Sequence, residues 1–172
     1  MTYQIDPKHS SAHFKIRHMM IANIQGDFDS VTGTVEFDAA NPAATSFEAS
    51  IDVNSLHTGD PQRDGHLKTP DFFDVEKFPT IVFRSKKIVA SGGKNYTATG
   101  DLTLRGITKE VSLKVEGFSD EITDPWKLQR RGVGATTTIS RKDFGISFDP
   151  SGTAVSDAVE ITLDIEMTRA AS

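Results

Sequence analysis

Arg63, Asp64 and His66 fall within four positions of one another in the stretch Thr58 to Asp74, TGDPQRDGHLKTPDFFD. A histidine beside a carboxylate pairs a general base with the acid that orients it, and Ser55 or Thr58 could supply a hydroxyl nucleophile. Read as an enzyme, the chain would be a hydrolase. Its sequence has no nucleophile elbow, no glycine-rich phosphate loop and no HExxH. Neighbouring charges on a loop are usually solvated or structurally paired, so the expectation is a non-catalytic chain. His9, His13, His57 and His66 are scattered, and no two have a recognised zinc spacing. The chain has no cysteine, which excludes disulfides and thiolate metal sites. No metal or cofactor is expected. Glu160, Asp164 and Glu166 read as a solvated face.

The elements that position these groups are strands. The chain has 172 residues, enough for one domain with a real core, 1–172. A net charge of −5 without a basic run speaks against nucleic acid as a partner. No stretch approaches the roughly 20 apolar residues of a membrane-spanning helix, so no membrane insertion is expected. The N-terminus lacks the apolar segment of a signal peptide. The expected location is therefore cytoplasmic, or periplasmic or secreted if a leader has been removed.

Apolar and polar residues alternate in Ser11–His18, Ser46–Val53, Thr80–Val89, Tyr96–Leu104, Val111–Val115, Gly132–Ser140 and Val159–Met167. Gly26–Asp38 reads as a strand interrupted at Gly33. Met19–Asn23 reads as one helical turn and Asp120–Arg131 as a polar loop. Asp60-Pro61 caps a short helix from Pro61 to Lys68, and Thr69-Pro70 opens a further turn, giving a helical insertion over residues 61–73. About eight one-sided strands, with no long amphipathic helix to cover them, are best buried by closing on themselves. The expected fold class is all-β, an eight-stranded antiparallel barrel. A two-sheet sandwich fits the same pattern.

Strand parity sends Phe14, Ile16, Phe47, Ile51, Phe83, Leu102, Leu113, Ile161, Leu163 and Ile165 inward. Such a barrel is either filled by its side chains or holds one small ligand. The filled version would be a structural or stress protein without a ligand. His18 and Arg141 end two inward-facing series, as polar groups at a barrel mouth would. With Arg63, Asp64 and His66 they could meet a ligand's head group. Alternatively, Asp64 or Asp143 holds an arginine and pins the helix to the barrel.

The ordered set Ile5-Asp6-Pro7, His9-Ser10, Phe14, His18, Gly26-Asp27-Phe28, Arg63-Asp64-Gly65-His66-Leu67, Asp71-Phe72-Phe73, Phe78-Pro79, Gly100–Gly106 and Arg141–Gly145 resembles the YceI-like family of bacterial polyisoprenoid-binding proteins. The chain departs at Tyr3, where the family often has tryptophan, and in lacking the signal peptide many members carry. The resemblance implies a lipocalin-like barrel whose interior takes a long isoprenoid lipid, of the polyprenyl phosphate or isoprenoid quinone type. The protein would then carry, store or sequester that lipid. It also implies that a homodimer is an assembly open to the chain.

Overall fold

The computed structural model describes residues 1–171. In chain order the elements are β1 (Thr2–Ile5), β2 (Ser11–His18), β3 (Ala22–Phe28), β4 (Val31–Glu36), β5 (Ser46–Asp52), β6 (Leu56–His57), α1 (Pro61–Leu67), β7 (Thr80–Gly92), β8 (Asn95–Leu104), β9 (Ile107–Glu116), β10 (Ile122–Thr123), β11 (Leu128–Ser140) and β12 (Ala158–Ala170). Several are halves of one bent strand. Both β1 and β2 pair with β12, β4 and β3 pair with β1 and β2 in turn, and β5 and β6 continue on β4 and β3. Counted this way, the wall is an up-and-down meander of eight antiparallel strands. The β11–β12 ladder, running from Leu128 opposite Ala170 to Ser140 opposite Ala158, closes it. The barrel was legible from alternation, and the sandwich is excluded by this closure.

Local departures from the sequence reading have simple causes. Met19 and Met20 form no helical turn; at φ 54° and 60° they turn a tight hairpin between β2 and β3. The right-handed twist of paired strands selects such a turn, although the usual Asn-Gly signal is missing. Gly33 lies inside β4 rather than breaking it, because a Cβ there would come 2.1 Å from the Glu48 carbonyl oxygen. Residues 120–131 are not all loop. Ile122 and Thr123 pair with Arg130 and Gln129, so β11 already runs from Leu128.

α1 forms where its cap dictates. The Asp60 carboxylate accepts from the backbone N–H groups of Gln62 and Arg63, and Pro61 follows at the first helical position. Thr69 does not cap a second helix. Its hydroxyl donates to the His66 carbonyl at 2.6 Å, and residues 69–78 run as turns. Phe72 is buried and Phe73 half-buried, anchoring this insertion over one end of the barrel.

The opposite end is plugged. Phe37 and Phe118 lie with ring centroids 4.2 Å apart, and the Arg131 guanidinium sits 5.0 Å from the Phe37 centroid. Beside this floor, Arg130 donates to Asp124 at 2.6 Å, Asp6 at 2.8 Å and Glu166 at 2.5 Å. Burial alone would raise the Asp6 carboxyl. Hydrogen bonds from His9, Arg130 and the Lys8 backbone outweigh burial and lower its pKa from 3.8 to about 2.

A carboxylate held that low stabilises the fold above its ordinary pKa and loses its contribution as pH falls from 3.8 towards about 2. The melting temperature is therefore expected to fall on acidification through that window. Arg130→Met should melt lower at neutral pH and show a shallower acid limb, because Asp6 then titrates nearer its unfolded value. Calorimetry against pH checks this; parallel curves for the two proteins would contradict it.

Candidate functional site

The barrel is hollow. A cavity of about 580 Å³ runs from the end covered by α1 down to Tyr96 and Phe118 at the plugged floor. Every inward residue read from parity borders it: Phe14, Ile16, Phe47, Ile51, Phe83, Leu102, Leu113, Ile161, Leu163 and Ile165. The inward side chains of β12, Ile161, Leu163 and Ile165, keep accessible surface although they sit on a fully paired strand. In a solid core they would have none. The filled-barrel alternative is therefore corrected: side chains coat the wall and leave the axis open.

Aromatic rings form much of the cavity wall. Phe47 and Phe83 stack at 5.4 Å, and Phe14 and Phe28 meet at 5.7 Å. From the insertion, Phe73 reaches down to Phe28 at 5.6 Å and Phe14 at 6.5 Å. Its neighbour Phe72 turns to the mouth, where Phe148 lies 5.0 Å from it and His66 sits edge-on to both.

Polar groups gather at the mouth. His18, Arg63, His66 and Arg141 border the cavity there; Asp64 does not. Arg141 is 2% exposed, and its partners are backbone carbonyls. It donates to Ser156 at 2.9 Å, Ile146 at 2.9 Å, Asp149 at 2.8 Å and Val155 at 3.0 Å. Neither Asp64 nor Asp143 holds an arginine, so the ion-pair alternative is corrected. Asp64 instead accepts from the Thr58 backbone N–H at 2.9 Å and hydroxyl at 2.6 Å. Thr58 in turn accepts from Arg63 Nε at 2.7 Å through its hydroxyl and from Nη2 at 2.8 Å through its carbonyl. Arg63 Nη1 has no partner among the described residues. His18 is exposed, and its backbone bridges to Val155.

The catalytic dyad considered from sequence is not assembled. His66 bonds Asp71 at 2.9 Å rather than Asp64. The Ser55 hydroxyl donates to the Asp52 carbonyl at 2.6 Å, and that of Thr58 is used by Asp64 and Arg63. Each candidate metal histidine faces an aspartate: His9 with Asp6, His13 with Asp27, His57 with Asp29 and His66 with Asp71. The grouping of Asp6, His9 and Glu166 could hold an ion by spacing, but the Arg130 guanidinium already bonds two of the three. Glu160 and Asp164 are solvent-exposed, as a solvated face requires, and carry surface ion pairs, Glu160 with Lys15 at 3.0 Å and Asp164 with His13 at 3.2 Å.

Two positioning residues escaped the sequence reading. Arg105, in the turn between β8 and β9, donates to the Pro70 carbonyl at 2.7 Å and to Gly145, tying the insertion to the mouth loop. Arg131 has the same inward parity as Arg141 at the other end of β11. The expected loop over residues 120–131 hid that parity.

Removing Arg141 would take the donor from four carbonyls of a partly buried loop, at about 1–3 kcal/mol for each one that water cannot reach. Arg141→Met is expected to lower the melting temperature by roughly 10 °C. Amide exchange should speed up over residues 146–156 more than in β11 or β12. Uniform acceleration across the barrel would contradict the local role.

Comparison with known proteins agrees with this architecture. A protein of Pseudomonas syringae pv. tomato from the UPF0312 group is 38% identical over 168 residues, covering 96% of this chain and 83% of that protein. The crystal structure of Burkholderia cenocepacia BcnA superposes with a TM-score of 0.85 at 25% identity, covering 94% of this chain and 98% of the other. A polyisoprenoid binding domain from Saccharophagus degradans shares the fold at a TM-score of 0.70 and 17% identity, over 96% and 97% of the two chains. The family model for the YceI-like domain matches residues 3–167. The chain belongs to the YceI-like family.

Proposed function

We propose that the protein binds a long isoprenoid lipid in the barrel, its tail in the cavity and its head group at the mouth, as a carrier, store or sequestering protein. The observation that carries this reading is an apolar cavity of about 580 Å³ whose polar lining is concentrated at one end. That the Saccharophagus degradans neighbour is a polyisoprenoid binding domain supports the same ligand class. Removing an apolar tail from water contributes roughly 0.8 kcal/mol per CH₂, or about 3–4 kcal/mol per five-carbon isoprene unit. A few units thus offset the cost of immobilising the ligand, with little help from polar contacts.

The head group falls to Arg63 more than to Arg141. Arg141 spends four N–H groups on carbonyls, whereas Arg63 keeps Nη1 unpartnered and borders the mouth. His18 and His66 complete the rim.

Equilibrium retention of a labelled polyprenyl phosphate and of a ubiquinone tests the reading. Wild type is expected to retain at least one of them. Ile161→Trp, which fills the cavity, should lose at least tenfold in affinity for either while keeping its melting temperature within a few degrees. Arg63→Ala should weaken the phosphate by about tenfold and leave a polyprenol of equal tail length within threefold. A wild-type protein that retains neither lipid would refute the proposal.

A further inference from the structure

Gly26 differs from the other crowded glycines. At Gly33, Gly100 and Gly117 an added Cβ would strike a backbone oxygen, that of Glu48, Arg84 and Lys94, 2.1, 2.3 and 2.2 Å away. Gly106 and Gly145 carry positive φ. Gly26 has neither constraint. The three atoms nearest to an added Cβ there all belong to the Phe14 ring, Cζ at 2.2 Å, Cε1 at 2.4 Å and Cε2 at 3.0 Å. The two residues are direct partners across β2 and β3. Gly26 is buried and does not itself border the cavity, because the Phe14 ring lies over it.

We infer that Gly26 determines how long a tail the barrel accepts, by giving the Phe14 ring a place to lie flat against the wall. This rests on the lipid-binding reading above. The backbone at residue 26 would tolerate alanine, so glycine is required there by the ring and not by the fold. The ring is flanked by Phe28 at 5.7 Å and Phe73 at 6.5 Å, with the β3 backbone behind it. A Cβ at residue 26 leaves it one direction to move, into the cavity. Phe14 stands below His18 and Ile16 on β2 and above Ala12, so a ring turned inward divides the mouth from the floor at Tyr96 and Phe118. Short tails would still fit above the division. Long tails would lose the lower half.

The test uses two polyprenyl alcohols, geraniol and solanesol, against wild type, Gly26→Ala, Phe14→Ala and the Gly26→Ala/Phe14→Ala double variant. Gly26→Ala is expected to lose at least about tenfold in solanesol affinity and to change less than threefold for geraniol. The double variant should recover solanesol binding, which a folding defect would not allow. Equal losses for both alcohols, no loss for either, or no recovery in the double variant would overturn the inference. A crystal structure of Gly26→Ala reads the ring position without any ligand. A Phe14 ring turned into the cavity supports the inference, and one still against the wall overturns it. A wild-type protein that bound neither alcohol would count against the lipid-binding reading, with the ring position still decided by that structure.

Discussion

The ladder between β11 and β12 is the interaction on which the rest of the structure depends. The sheet begins and ends with strands that have one apolar face, and an open edge would leave that face and a row of backbone groups in water. β12 resolves both problems, pairing with β11 along one edge and with β1 and β2 along the other. Once the wall is closed, its apolar face has nowhere to point but inward. The interior is then lined with Ile, Leu, Val and Phe by necessity. Two of its large rings sit close over glycines of the wall, Phe14 over Gly26 and Phe83 over Gly100 beside Phe47.

The two ends of this tube are finished with different chemistry. At the floor, Arg130 is surrounded by Asp6, Asp124 and Glu166, while Arg169 bonds Glu121 at 2.7 Å. Each of these cations is met by carboxylates, and the end is shut by the Phe37 and Phe118 rings. At the mouth, Arg141 is held by carbonyl dipoles and Arg63 by Thr58, and neither has a carboxylate within salt-bridge distance among the described residues. The charge of Arg141 is therefore met by carbonyl dipoles, while Nη1 of Arg63 is left without a partner among the described residues at the rim of an apolar cavity. That asymmetry sets a polar, cationic mouth against a closed floor.

Much of this could be read from the residues. Period-two alternation is a strong signal when one face of every strand is buried, and so the eight strands of the wall and the inward set from Phe14 to Ile165 were visible. The Asp60-Pro61 cap was visible because capping is local. Features that depend on three-dimensional approach were not. Parity put Arg141 on the inner face, but the carbonyls that hold it come from residues 146–156, a loop with no periodic pattern. Asp64 looked like a partner for His66 because they are close in sequence. The helix instead turns Asp64 back to Thr58 and His66 towards Asp71. Whether the barrel was hollow could not be decided by parity, since filled and empty barrels have the same alternation. It was decided by the open axis that the inward side chains of β12 face.

The central claim is that the empty axis exists to hold an isoprenoid tail. Mass spectrometry of organic extracts, from protein purified without detergent, tests it most directly. The account predicts a co-purifying lipid whose fragments step by isoprene units, in near-stoichiometric amount. Extracts without such a lipid, from protein that also fails to take up a polyprenyl phosphate or a quinone, would contradict it.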